Sequence, residues 1–535
     1  MNRRHWWLPS LTQCIWLVFF LGLLLTHWRQ VLVNADGDPC WHWQTGNWIL
    51  EHHAILRNDP FSHTCALAPM TSKEWLSEVI FAMAGKALGW NGIVLIAALL
   101  IATALALLHR QLLAEGSDVL IATLLVLLAA RTCATHWLAR PHLYTLLLVV
   151  IFAWQLRWFD RDRVRPWQLF ARLVPLAVLW ANLHGGFLSG LALIGIHLFG
   201  NAVRWFADDA AARATARRRV TTLLILGSAC GLATLVNPNG WRLHEHIFDF
   251  LRTPYQAFFT NEWTSVNFHS GGMDGLLLQL LLLGVLLITL RRSLSVTDLG
   301  LVAFWLYAGL LAVRNVPIFA LIVTPILAEH FSAAVSDARP LLWTRPFRRL
   351  SADIAALNRR AGHITLPLLA VALMLLIFSK PALLGGQPLI DTTAMTNRFP
   401  VAAANYLRNH PQIVHGEMFN DYAWGGYLIL YFPERKVFID GRNDFYPPSF
   451  LHDFSAVNHL APSWESVLAK YHIGWTILPR DHPLNQLLAL HKNWRLAYAD
   501  DVALIYSRLQ PSEALTESHP DRSRTSSTSH TASSG

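Results

Sequence analysis

Eleven apolar runs, each roughly 16–23 residues long, decide what this chain can fold into. They fall near 11–33, 91–113, 117–135, 141–159, 168–184, 186–206, 220–236, 275–290, 298–313, 315–331 and 363–379. A helix needs about 20 such residues to cross hydrocarbon. The fold class that follows is mainly α, a polytopic transmembrane helical bundle of about 11 spans. Composition agrees: charged residues make up 14% of the chain, against roughly 25% in soluble domains. The net charge of +9 does not form a nucleic-acid footprint, because the basic residues cluster in short loops between runs.

Those loops set the orientation. Placing Arg3 and Arg4 in the cytoplasm puts Arg110, then Arg157, Arg161, Arg163 and Arg165, on the same side. Arg213, Arg217, Arg218 and Arg219 follow, then Arg291 and Arg292, then Arg339, Arg345, Arg348, Arg349, Arg359 and Arg360. The opposite loops hold few basic residues, so the chain is expected N-inside and C-outside. Only Arg314 separates runs 298–313 and 315–331, and losing one span would put the C-terminal domain in the cytoplasm. The first run, with Arg3-Arg4 before it and Val33-Asn-Ala35 after it, also has the outline of a cleaved signal. Trp28, Arg29 and Gln30 make a poor cleavage region, so it is taken as a membrane helix.

Five segments result: a first transmembrane helix (1–33), a first outer loop (34–90), a transmembrane body (91–379), a C-terminal α/β outer domain (380–509) and a Ser/Thr-rich tail (510–535) expected to be disordered. In the outer loop two helices are expected, around Trp41–His52 and Glu74–Leu88. The second has an apolar face of Trp75, Leu76, Val79, Ile80, Met83 and Leu88, suited to lying along a membrane surface. In the C-terminal domain, 437–440, 475–478 and 502–506 read as buried strands, and 399–409, 449–460, 464–471 and 483–491 as helices. No Gly-rich phosphate fingerprint follows any of these strands.

Asp36 and Asp38 lie just past the first run. Carboxylates at a membrane surface repel anionic head groups unless a metal, a proton transfer or a cationic partner uses them. A turn at Gly37 lets them converge as a base with a metal or acceptor ligand, Asp36 leading because it is nearest the membrane; the plain alternative is a polar helix end. Glu74, four residues before Glu78 on one helical face, offers another catalytic carboxylate or simply a solvated face. His42 is placed near the carboxylates as a hydrogen-bonding group; His42, His52, His53 and His63 lack a clean zinc spacing. Arg140 and Arg314 stand at outer ends of runs, where their planar forks suit phosphate oxygens or snorkel to lipid. His184, beside Gly185-Gly186, and Glu262, beside Trp263, complete the binding candidates, against helix packing and an interfacial Trp as alternatives. The 23 tryptophans are mostly of that interfacial kind. Asp440, Arg442 and Asp444 read as an acceptor contact or a structural ion cluster. Cys40 and Cys65 share the outer loop and form a disulfide or stay free thiols; Cys14, Cys133 and Cys230 lie in apolar runs.

The layout resembles the GT-C superfamily of integral-membrane glycosyltransferases, which includes oligosaccharyltransferases, protein mannosyltransferases and lipid A aminoarabinose transferases. Asp36-Gly-Asp38 occupies the place of their acidic motif in a long first outer loop. More closely, the chain is similar to uncharacterised bacterial membrane proteins of this type, through Trp41-His-Trp-Gln-Thr-Gly46, Asn58-Asp-Pro-Phe-Ser62, Glu74-Trp-Leu-Ser-Glu78, Arg140-Pro-His142, Asn182-Leu-His-Gly-Gly-Phe187, Asn237-Pro-Asn-Gly-Trp241, Glu262-Trp263 and Phe438-Ile-Asp-Gly-Arg442. The resemblance implies a multi-pass protein of the bacterial inner membrane that moves a sugar from a polyprenyl-phosphate donor to a glycan, lipid or protein acceptor on the outer face. It also implies an acidic residue that activates the acceptor or holds a divalent cation, Mg or Mn, with Asp36 and Asp38 as the ligands. Two other classes stay open. A transporter lacks support because the spans show no paired broken helices and the charges gather at membrane surfaces. A non-catalytic assembly protein would bind a partner through its C-terminal domain.

Overall fold

The computed structural model describes residues 8–207, 210–252, 261–289, 294–337, 344–361, 364–380 and 397–509. Arg3, Arg4, Arg291, Arg292, Arg339 and the tail 510–535 lie outside them. The chain forms two units. One comprises Met1–Asn58, Pro69–Ala394 and Asn443–Phe445; the other comprises Asp59–Ala68, Met395–Arg442 and Tyr446–Gly535. The first loop is therefore not one block, because ten of its residues belong with the C-terminal unit.

In the larger unit every apolar run is helical. The first is α1 (Leu11–Leu25) and α2 (Trp28–Asn34), which meet at 68°. The Thr26 hydroxyl bonds back to the Gly22 carbonyl at 2.7 Å where α1 ends. Then come α3 (Asp38–His52), α4 (Trp75–Leu88), α5 (Trp90–Ala114), α6 (Val119–Cys133), α7 (His142–Asp160), α8 (Pro166–Leu183), α9 (Leu188–Ala207), α10 (Ala210–Ala233) and α11 (Arg242–Arg252). Four more helices follow at Asp274–Thr289, Val296–Leu311, Val316–Asp337 and Thr365–Ser379, with a basic helix at Thr344–Arg360. Among the described residues five helices are long and apolar enough to cross a membrane, or six if the bent pair is one span. Three shorter apolar helices accompany them at Asp274–Thr289, Val296–Leu311 and Thr365–Ser379. Their exposed leucines (Leu281, Leu287, Leu299, Leu369) are the surface a lipid-facing helix presents.

Two amphipathic helices position the site. On α4 the face turned into the protein is Ser77, Glu78, Phe81, Ala82 and Gly85. Of the apolar stripe that periodicity singled out, Met83 is 59% exposed, and Trp75, Leu76, Val79, Ile80 and Leu88 are half-buried. That is the arrangement of a helix lying on a membrane, where lipid covers the apolar stripe. Small residues let α3 close on this inner face. A Cβ on Gly46 would stand 1.9 Å from the Glu78 carbonyl oxygen, and one on Gly85 would meet the Trp43 ring at 2.2 Å. Side-chain bonds pin α4 further: Ser77 donates to the Leu183 carbonyl at 2.6 Å, and the Trp75 indole donates to Asn182 at 2.7 Å.

The smaller unit is α/β. Its sheet has the order β1-β2-β4-β3, where β1 is Glu417–Asn420, β2 Ile473–Pro479, β3 Trp494–Ala499 and β4 Ala503–Arg508. The β1 and β2 strands run parallel; the other neighbours are antiparallel. Helices Val401–Asn409, Pro448–Asn458, Trp464–Lys470 and Pro483–Leu490 match the expected segments. The expected strand at 437–440 is not one. Its residues are fully buried, but their backbone is satisfied otherwise. Asn420 accepts from Phe438 N–H at 2.7 Å and donates to the Ile439 carbonyl at 2.8 Å. The 59–68 excursion supplies the rest, through Phe61, His63 and Thr64. Beneath it Arg442 is 1% exposed, bonding Asp440 at 2.6 Å and Asp59 at 2.8 Å. Tyr446 also donates to Asp440 at 2.7 Å.

Candidate active site

The acidic motif is a turn that opens α3. Asp36 accepts the Asp38 N–H at 2.8 Å, which folds the two carboxylates toward the same side. The guanidinium of Arg140 receives both. Nη2 pairs with Asp36 and, at 3.2 Å, with Asp38, while Nη1 pairs with Glu262 at 2.7 Å. Glu262 sits on a single 3-10 turn, Asn261–Trp263. The Trp41 indole donates to the second oxygen-bearing face of the motif, at Asp38 Oδ1, 3.0 Å. Three carboxylates thus share one cation. Burial pushes the Asp38 carboxyl up to about 8; Arg140 opposes this, while Asp36 and Glu262 add to it. Glu262 goes the other way. Burial works to raise it, but Arg140, with Arg314 nearby, holds it well below the usual carboxylate range.

Arg314 lies on the short turn Val313–Asn315, tied to the Glu262 segment by a Val313 N–H to Thr264 carbonyl bond of 3.1 Å. Its guanidinium stacks over the Trp263 ring, 4.5 Å from the centroid. Among the described residues Arg140 has three carboxylate partners, whereas Arg314 pairs with none.

A second cluster adjoins the first. Glu74, 6% exposed, begins α4 and lies between two imidazoles, His42 at 3.6 Å and His184 at 3.4 Å. Glu78 faces His42 from the other side at 3.4 Å. Burial raises the Glu74 carboxyl to about 7, against Lys73, Arg314 and Arg140. Burial likewise pushes His42 and His184 well below the ordinary histidine range, so both rings are neutral at physiological pH. Lys73 is engaged by Asp444, which also accepts from His246 at 2.7 Å. Asp444 is held far below the normal carboxylate range, Lys73 and His246 outweighing its burial.

No family model matches this chain, and no curated protein matches it in sequence. Solved structures do. The oligosaccharyltransferase of Archaeoglobus fulgidus in its apo form aligns at a TM-score of 0.53 and 12% identity, over 94% of this chain and 75% of that one. ArnT from Cupriavidus metallidurans aligns at 0.50 in the apo state, with 14% identity over 92% of this chain and 98% of that one. The same protein bound to undecaprenyl phosphate aligns at 0.50 and 15% identity, covering 94% and 98%. This chain has the GT-C fold.

On the GT-C frame the residues singled out in the sequence gather into the two clusters: Asp36, Asp38, Arg140 and Glu262 in one, His42, Glu74 and His184 in the other, with Arg314 beside them. Cys40 and Cys65 are separate free thiols. That is the second of the two alternatives the sequence left open; Cys40 is buried in the first turn of α3, and Cys65 belongs to the 59–68 excursion. A divalent cation on Asp36 and Asp38 would have to share oxygens with donors already there. The oxygens it would need already hold Arg140, Trp41 and the Asp38 N–H. Sequence reasoning did not single out Lys73, Ser72 or Trp41 as members of these clusters. It weighed Glu78 through its i, i+4 spacing to Glu74, and the structure brings both onto His42.

Proposed function

We propose that the chain is a glycosyltransferase that moves a sugar from a polyprenyl-phosphate donor to an acceptor on the outer face of a bacterial inner membrane. The observation that carries this is the division of labour between two arginines. Arg140 meets three carboxylates, whereas among the described residues Arg314, on the neighbouring turn, stacks on Trp263 and forms no ion pair. The neighbours support the substrate class: ArnT has been solved with undecaprenyl phosphate bound.

The chemistry is a direct displacement. The acceptor hydroxyl or amide gives its proton to the Asp36–Asp38 pair as its heteroatom bonds to the anomeric carbon. The bond from that carbon to the phosphate oxygen breaks, and the electron pair leaves on the phosphate, inverting the anomeric centre. Within the pair, Asp36 fixes the orientation of Arg140, and Asp38 accepts the proton once it ionises, at about 8. Arg314 meets the charge that grows on the leaving phosphate. Glu74 takes no part in the proton transfer, since both of its oxygens face imidazoles.

Incorporation of a polyprenyl-linked sugar in isolated membranes tests the reading. Asp36→Asn and Asp38→Asn should each lower transfer by about 10²- to 10⁴-fold while the protein still accumulates. Arg314→Lys keeps the charge but loses the fork and the stack on Trp263, so it should raise the donor KM. Wild-type transfer in the Asp36→Asn/Asp38→Asn double variant would exclude the acidic motif from catalysis.

A further inference from the structure

We infer that His42, Glu74 and Glu78 form a binding site for one divalent transition-metal ion, clamping α3 to α4. One ring nitrogen of His42 and one oxygen from each carboxylate lie within 4.8 Å of one another. All three residues are buried, at 2%, 6% and 2% exposure. The two carboxylates face opposite sides of a single ring, at 3.4 Å and 3.6 Å. A neutral ring carries one N–H and satisfies one of them; with both carboxylates ionised, even a fully protonated ring would leave the trio negatively charged away from water. A divalent cation makes two carboxylates and a neutral imidazole neutral as a whole. The nearest lysine, Lys73, is already neutralised by Asp444.

The outer contacts are those of a metal site. His184 Nδ1 accepts the Gly186 N–H at 3.0 Å, which leaves the proton on Nε2, pointed at Glu74 Oε1. The Thr145 hydroxyl, which accepts from the Trp180 indole at 2.8 Å, meets the same Nδ1 at 2.8 Å. Ser72 donates to Glu78 Oε2 at 3.1 Å. Each carboxylate thus has one oxygen held by a donor and the other turned to His42, as donors behind metal ligands arrange them. Ligands about 2.1 Å from a tetrahedral cation stand about 3.4 Å apart; the three ligand atoms, within 4.8 Å of one another, close inward by up to about 1.4 Å on binding, with Glu74 and Glu78 swinging to the same ring nitrogen. Mixed nitrogen and oxygen ligation suits Zn²⁺ or Mn²⁺; Mg²⁺ and Ca²⁺ take oxygen shells. Gly46 makes the site possible, since its missing side chain lets the α4 backbone at Glu78 come within reach of His42, one turn earlier.

This site is distinct from the Asp36–Asp38 pair and is tested without any sugar substrate. The full-length chain, purified in detergent and stripped with a chelator, is reloaded with Zn²⁺ or with Co²⁺ as a visible-absorption probe, and the bound metal is measured. One equivalent per chain is expected, with Co²⁺ d–d bands and a higher unfolding temperature on loading. Glu78→Gln and His42→Gln should lose the ion, and Asp36→Asn and Asp38→Asn should keep it. Ser72→Ala, which leaves every ligand in place, should weaken binding by about 10- to 100-fold, separating metal loss from misfolding. Wild-type protein that takes up no stoichiometric metal, or a Glu78→Gln variant that retains it, would overturn the assignment.

Discussion

Replacing Arg140 with Gln removes the one cation that Asp36, Asp38 and Glu262 share. Each of those side chains is about a fifth exposed, at 23%, 19% and 23%. Two unit charges 4 Å apart repel by about 4 kcal/mol at an effective dielectric of about 20. Removing one partner of a buried ion pair costs about 3–5 kcal/mol, and a fifth of exposure moves the expectation to about 3 kcal/mol. Glu262→Gln should cost less, because Arg140 keeps two carboxylates. Combining the two removes one negative charge together with the cation, so the double variant should recover about 1–2 kcal/mol of the sum. Unfolding of the detergent-solubilised protein, followed by tryptophan fluorescence, measures all four members of the cycle. At pH 5 the penalty in Arg140→Gln should shrink, since like-charged carboxylates without a counter-ion take up protons. Additivity within about 0.5 kcal/mol at pH 8 would mean the three carboxylates do not share Arg140 energetically.

Transfer should rise with pH through an inflection near 8, the raised Asp38 carboxyl accepting a proton only once ionised, and Asp38→Asn should remove that inflection. The stability contribution of Asp38 has the opposite slope: its folded pKa lies above the ordinary 3.8, so the contribution is present at acid pH and is lost as pH rises from about 4 towards about 8. In the C-terminal unit, Arg442→Met leaves Asp440 and Asp59 buried without a cation and should cost about 3–5 kcal/mol, seen as faster proteolysis of that unit. A reporter fused after Lys380 should be active only as an outer-compartment enzyme; a cytoplasmic signal there would overturn the eleven-span orientation.

Much of the helical layout was legible because transmembrane helices announce themselves through length and hydropathy alone. The site was legible in part for a related reason: charged residues at the ends of apolar runs are costly unless used, so Asp36, Arg140 and Arg314 stood out one by one, and Glu262 through the indole beside it. Their grouping was not legible. Arg140 and Glu262 are 122 residues apart, and no local pattern says that one guanidinium collects three carboxylates. The residues 437–440 misled for a different reason. A buried apolar run reads as a strand, yet the Asn420 side chain, rather than a neighbouring strand, takes up part of its backbone hydrogen bonding. Periodicity on α4 found the outward apolar stripe and passed over Ser77, Ala82 and Gly85, the small residues buried beside Glu78.

The excursion that carries Asp59 sets an order for biosynthesis. Its partner Arg442 is made 383 residues later, which at about 5–20 residues per second is a wait of roughly 20–75 s. During that interval Asp59 has no Arg442, and the backbone groups of 59–68 lack their partners around Phe438. The C-terminal unit therefore cannot mature as an independent fragment: a chain begun at residue 397 would lack the piece that completes its interior. A ribosome stalled before residue 442 would leave the excursion displayed without Arg442, as a segment a holdase would recognise.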